Sequence, residues 1–226
     1  GLSLADVGTG DGIIATGVAE EAAPASLVAF DVNPVDSDAL LSRARHVGYC
    51  DELPPGLRFE VSGQKDLPAP SNSFDGVLSW SAFEHIQDIQ AVAMEISRVL
   101  RPDGFVFVQL YPLYFSEWGS HLEAWIPEGF HHLVMDADQI TSAVNAGPGE
   151  DGWKRYMLNE YRNLNQARLD DIQTAFLSAG LVVGRCELYS HLVAPPEQAA
   201  RSQRLSDLMI AGFKMLLKPD SQHGEE

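Results

Sequence analysis

The stretch "LADVGTGDG", residues 4–12, places glycines at positions 8, 10 and 12 directly behind a short apolar run. Three glycines at every second position mark a turn whose backbone must take left-handed conformations or approach a ligand closely. The turn follows a strand, so in an open parallel sheet it lies at a carboxyl edge, where ligand crevices form. A dinucleotide loop reads G-x-G-x-x-G, but here the third glycine comes one residue early and Ile13 follows it. A Walker loop needs Gly-Lys-Ser/Thr, and no lysine is present. Asp6 and Asp11 flank the glycines and would repel a pyrophosphate. They suit a cationic ligand.

The rest of the first half repeats one theme. Apolar runs at 26–32, 57–62, 74–80 and 104–110 are bounded by Gly, Pro, Asn and Asp, the signature of strands buried on both faces. A helix is expected over 88–100, where Ile89, Ala93, Ile96 and Leu100 recur at helical spacing before "RPDG" breaks it. Strand, helix, strand in alternation predicts an α/β fold with a parallel sheet between helices. Residues 111–166 carry aromatics and histidines without clean periodicity and are read as an insertion after the fifth strand. A helix at about 167–179 closed by Gly180 is expected next, then strands "LVVGRCELY" (181–189) and "DLMIAGFKMLLK" (207–218) joined by a Pro-containing connector at 194–206.

The chain has 226 residues, enough for one sizeable domain spanning 1–226. With 32 acidic and 15 basic residues its formal net charge is −17, which disfavours nucleic acid and anionic membrane surfaces as partners. No run approaches the roughly 18 apolar residues a spanning helix needs. Cys50 and Cys186 stand alone, without a disulfide framework or zinc spacing, and a reducing cytoplasm is the expected location. The opening at Gly1, immediately before a strand, leads us to expect that residues upstream are absent from this sequence.

S-adenosylmethionine is a ligand with the required character: a sulfonium, an ammonium and a ribose diol, and no phosphate. The segment "ADVGTGDG" resembles motif I of the class I S-adenosylmethionine-dependent methyltransferases, and the resemblance continues to about residue 110 through "LVAFDVNP", "LPAPSNSFDGVLSWSAFEHI" and "EISRVLRPDGFVFVQ". It implies the Rossmann-like class I fold, a seven-stranded, mostly parallel sheet with an antiparallel last strand, helices on both faces and the insertion at 111–166 as acceptor pocket or lid. It also implies S-adenosylmethionine as cofactor, bound by Asp6, Gly8, Thr9, Gly10, Asp11 and Gly12. Asp31 would take the ribose hydroxyls, Val32 and Asn33 would lie beside the adenine, and Ser79 and Trp80 would contribute from the end of the fourth strand. Where the family often carries an acidic contact to the adenine amine, "SGQKDLP" offers Gly63, with Gln64 as substitute and Asp66 as the lesser candidate.

Methyl transfer needs alignment of an acceptor and, for a hydroxyl, a proton acceptor near neutral pKa, hence histidine. The candidates are His85, His121, His131 and His132, with His121 and His85 foremost. In ubiquinone-pathway and small-RNA methyltransferases a similar E-x-x-E-H supplies metal ligands. Here Ser81 replaces the first Glu, so no metal is expected, and Glu84 and His85 could simply order the following helix. Tyr111, Tyr114, Trp118 and Trp125 either line an apolar acceptor pocket with His121 or pack the insertion onto the sheet. The "GSHL" and "HHL" elements resemble those of members acting on small molecules or glycans. The function expected is methyl transfer to oxygen of a small molecule or glycan; the alternatives are a non-catalytic relative that binds cofactor or protein, and a nucleotide-dependent oxidoreductase.

Overall fold

The computed structural model describes residues 1–191 and 193–220. Seven strands, β1 (Ser3–Val7), β2 (Ser26–Asp31), β3 (Leu57–Val61), β4 (Phe74–Trp80), β5 (Leu100–Leu110), β6 (Leu181–Ser190) and β7 (Ile210–Pro219), form one sheet in the order β3-β2-β1-β4-β5-β7-β6. β1 to β5 pair in parallel, and β7 runs antiparallel to both β5 and β6. The expected class I arrangement is therefore present. The strand order reverses between β1 and β4, so the carboxyl ends of these two strands open a crevice.

Both faces of the sheet are buried because side chains alternate along each strand. Leu4, Leu27, Ala29 and Leu78 point to one face, where Ala15 and Ala19 of α1 (Ile13–Ala22) cover them. Ala5, Val7, Val28, Phe30 and Val77 point to the other, under Val92 and Ile96 of α3 (Ile89–Val99) and Ile172 and Phe176 of α6 (Leu169–Ser178). The remaining early helix, α2 (Ser37–Val47), is capped by Asp36, which accepts from the Asp38 and Ala39 amides. Asp88 caps α3 in the same way through Ala91. These caps fix where the chain leaves each loop at the crevice edge.

The structure assigns elements to the insertion and corrects one strand boundary. The insertion contains two helices, α4 (Ala137–Ala146) and α5 (Asp151–Asn163), packed with Leu122 and Ile126 into a small core of their own. α5 fully buries only Lys154 and Leu158, with Met157 and Tyr161 partly buried beside them, so its apolar stripe is narrow and easily lost among polar residues. α4 did leave a signal, the capping box formed by Asp136 and Gln139. Residues 207–209, read as strand, are instead the end of α8 (Leu205–Met209), and α7 (Glu197–Ser202) lies in the connector before it. Leu208 is fully buried there, an apolar residue that a short run cannot assign to helix or strand. Among the described residues no helix is long and apolar enough to cross a membrane.

Candidate functional site

The glycine turn is held to the end of β2 by backbone bonds. Gly8 and Thr9 donate to the Phe30 carbonyl at 2.9 and 3.0 Å. Asp31 then accepts from the Gly10 amide through Oδ2 at 2.8 Å and from the Asn33 amide through Oδ1 at 2.9 Å. Gly8 has φ +76°, and a Cβ there would stand 2.4 Å from Cβ of Ala82. Gly12, φ +81°, opens α1, and a Cβ on it would press 2.8 Å from the Phe59 ring. Both positions need glycine for two reasons at once, left-handed backbone and no space.

The two flanking carboxylates differ. Asp6 is buried, its Oδ1 lacks a hydrogen-bond partner, and burial pushes its pKa up to about 6, with the Thr9 side chain pulling it back in part. A cationic ligand above the loop would relieve that penalty. Asp11 is already engaged: it accepts from the Ile13 amide at 3.1 Å and pairs with Arg43. Thr9 is buried beside Asp6.

Beside this loop lies a cleft of about 820 Å³, its open mouth included. Val7, Gly8, Asp31, Val32, Gly63, Gln64, Asp66 and Leu67 form its floor and one wall, and Ala82, His85 and Ile86 the other. Lys65, its basic side chain, is tied to Asp88 at 2.6 Å, so the cleft keeps an acidic character. Gly63, Gln64 and Asp66 are thus brought together with Asp31 and Val32. The carboxyl of Asp66 packs over Gly63, where a Cβ would meet its Oδ1 at 2.2 Å. Ser79 and Trp80 are not brought there. Ser79 is buried and donates to the Val7 carbonyl at 2.8 Å, tying β4 to β1, while the Trp80 ring turns to the opposite side against Phe107 at 5.0 Å between centroids. The alternation of β4 decides both: each side chain stands on a sheet face, away from the cleft.

At the cleft's rim Glu84, His85 and His121 converge, each offering one ligand atom, all within 4.8 Å of one another. The His85 and His121 rings lie nearly parallel, centroids 6.1 Å apart at 28°. Burial lowers the pKa of both, though Glu160 and Asp31 pull His85 back up. Glu160, on α5, has Oε2 3.5 Å from Nδ1 of His85. Glu84 is buried with Oε2 unpartnered, and burial raises its pKa to about 7. His121 adopts φ +58° and its Nε2 is buried without a partner.

The other two histidines serve the scaffold. His131 faces the Glu128 carbonyl with Nδ1 and the Ser120 hydroxyl with Nε2, both at 2.8 Å, and so has no nitrogen left for a proton from outside. His132 donates to the Tyr114 carbonyl at 2.6 Å, and burial drops its pKa to about 4. Most of the insertion's aromatics also pack: Tyr114 is buried edge-on to Phe115 and His132, and Trp125 donates to the Pro148 carbonyl at 2.7 Å. Tyr111 is exposed beside Tyr189.

Residues 5–108, which carry the glycine turn, the Asp31 contacts and both cleft walls, match the family model described as "Methyltransferase domain". Residues 5–108 are therefore a methyltransferase domain of the class I S-adenosylmethionine-dependent type. The chain is 28% identical over 178 residues to a ubiquinone biosynthesis O-methyltransferase of Neisseria meningitidis, covering 77% of this chain and 66% of that one. It is 30% identical over 158 residues to the sterol 24-C-methyltransferase of Aspergillus fumigatus, covering 65% and 40%. The chain thus spans between two fifths and two thirds of the length of these curated relatives. Its fold matches a solved S-adenosylmethionine-dependent methyltransferase from Methanosarcina mazei, TM-score 0.56 at 14% identity, over 97% of this chain and 92% of that one. The acidic cleft beside the glycine turn suits a ligand of the charge of S-adenosylmethionine, the cofactor of this type of domain.

Two residues at the candidate site escape a reading of the sequence. Asn165 donates through Nδ2 to the Phe83 and Ile86 carbonyls at 2.6 and 2.7 Å, and its amide donates to the Glu84 carbonyl at 2.9 Å, so it clamps the turn that carries Glu84 and His85. Glu160 reaches His85 from the surface of a polar helix. Neither sits in a motif, and no signal in the chain marks them.

Proposed function

We propose that this chain transfers the methyl group of S-adenosylmethionine to an oxygen of a small hydroxyl compound, with residues 111–166 forming the acceptor side of a single catalytic domain. One observation carries the reading: two imidazoles with lowered pKa, His85 and His121, stand side by side where the cofactor cleft meets the insertion. Neutral imidazole is a proton acceptor near pH 7, and a hydroxyl needs its proton removed to become a nucleophile. In the proposed step the acceptor oxygen bonds to the methyl carbon as the carbon–sulfur bond breaks. The sulfonium becomes the neutral thioether of S-adenosylhomocysteine, and His121 takes the hydroxyl proton. Asp31 binds the ribose hydroxyls, Gly63 and Gln64 lie at the adenine, and Asp6 supports the positive end.

The Neisseria relative is named for O-methylation, which favours oxygen; the sterol relative is named for carbon. The acidic cleft speaks against a phosphate-rich acceptor. The test is release of S-adenosylhomocysteine from S-adenosylmethionine against parallel panels of phenols, aliphatic alcohols, sugars and amines. Turnover with hydroxyl compounds that falls at least a hundredfold in His121→Ala, with S-adenosylhomocysteine affinity kept, supports the assignment. Turnover confined to amines, or unchanged in His121→Ala, overturns it.

A further inference from the structure

We infer that Glu84, His85 and His121 form a binding site for one divalent first-row transition ion of the zinc and cobalt class. The starting point is an unresolved polar problem inside the fold. Glu84 Oε2 and His121 Nε2 are both buried and both lack a hydrogen-bond partner, and their residues, with His85, each bring one ligand atom to within 4.8 Å of the others. A buried acceptor without a partner costs free energy, and buried carboxylates are found paired or on metals. No arginine or lysine reaches Glu84 among the ion pairs of the described residues. One cation would satisfy both orphaned atoms together.

The chemistry of the donors selects the ion. Two imidazole nitrogens and one carboxylate oxygen suit zinc, cobalt and their neighbours, whereas magnesium and calcium prefer oxygen throughout. Three protein ligands leave at least one coordination position open, the pattern of a site that also holds a water or a substrate oxygen. Bonds of about 2.1 Å would draw the donors to roughly 3.4 Å from each other, within reach of side-chain rotation from their present spacing. Glu160 adds a carboxylate beside the cluster: its Oε2 stands 3.5 Å from Nδ1 of His85, and carboxylates commonly lie next to ligand histidines. His121 supplies the third ligand from the insertion, 37 positions beyond the Glu84 it joins.

The site deepens the oxygen-transfer reading and, for any part in turnover, rests on it: a bound ion would hold the acceptor oxygen in its open position and lower that oxygen's pKa. In that state the hydroxyl proton leaves to water, because the His121 lone pair is engaged. Ion binding itself stands apart from the reaction and is tested without it. Chelator-treated protein is titrated with Co²⁺ and followed by visible absorption, then with Zn²⁺ and Mg²⁺ by calorimetry. S-adenosylhomocysteine affinity and far-ultraviolet circular dichroism are measured for every variant.

The expected result is one Co²⁺ per chain, displaced by one equivalent of Zn²⁺ and not by Mg²⁺. Affinity should fall at least tenfold in Glu84→Gln and in His121→Asn, and stay unchanged in His46→Ala, an exposed histidine on α2. Absence of Co²⁺ bands in protein that still binds S-adenosylhomocysteine overturns the site. So does Co²⁺ binding that survives both Glu84→Gln and His121→Asn. Loss of S-adenosylhomocysteine binding in the wild type would instead strike the cofactor reading and leave the ion result to be read separately.

Discussion

Asp31 Oδ2 accepts the Gly10 amide hydrogen at 2.8 Å, so the residue expected at the ribose also fixes the glycine turn. The two oxygens are thereby aimed before ligand arrives, which reduces the ordering cost of binding. Asp31→Ala removes both the acceptor and the anchor. S-adenosylhomocysteine affinity should fall tenfold or more, about 1.4 kcal/mol, in calorimetry, with Asp31→Asn intermediate because its amide keeps one acceptor.

Gly8 and Gly10 make a matched pair for testing the turn. Both have positive φ, but a Cβ on Gly8 collides with Ala82 at 2.4 Å whereas nothing lies within 4 Å of one on Gly10. Gly10→Ala should cost about 1 kcal/mol from backbone strain alone. Gly8→Ala adds overpacking and should cost roughly 2 to 4 kcal/mol. Urea denaturation of the two variants decides it; equal costs would mean that the contact with Ala82 relaxes freely.

Asp6 gives a pH signature. Its pKa rises from 3.8 to about 6 on folding, because burial disfavours the charge. A raised carboxyl pKa means the folded state holds the proton more tightly. Its contribution is therefore fully present below pH 4 and lost as pH climbs through 6, a change of up to about 3 kcal/mol. Asp6→Asn should show a shallower decline in stability between pH 4 and 7 than the wild type. Adding S-adenosylmethionine should narrow the difference, since its positive charge favours ionised Asp6.

Asn165 tests the clamp on the Glu84–His85 turn. Its amide group satisfies two carbonyls, so Asn165→Ala leaves the Phe83 and Ile86 acceptors to find water. A loss of about 1 to 3 kcal/mol is expected in thermal or urea unfolding. Proteolysis or hydrogen exchange at 83–86 should rise more than at the sheet core.

The sequence of this protein determines most of the frame because the signals are local. Apolar runs bounded by breakers specify strands buried on both faces, and "LADVGTGDG" with Asp31 specifies where the cofactor turn forms, since a left-handed backbone and a strand-end carboxylate each need only a few neighbouring residues. Tertiary structure decided the rest. The partnership of Glu84 and His85 with His121 and Glu160 spans residues far apart in the chain, and it exists because a polar helix with only two buried residues folds back over the cleft. Where the side chains of Ser79, Trp80, His131 and His132 go was likewise a matter of tertiary direction: side-chain alternation on β4 gives Ser79 and Trp80 partners within the sheet, and hydrogen bonds within the insertion engage both histidines.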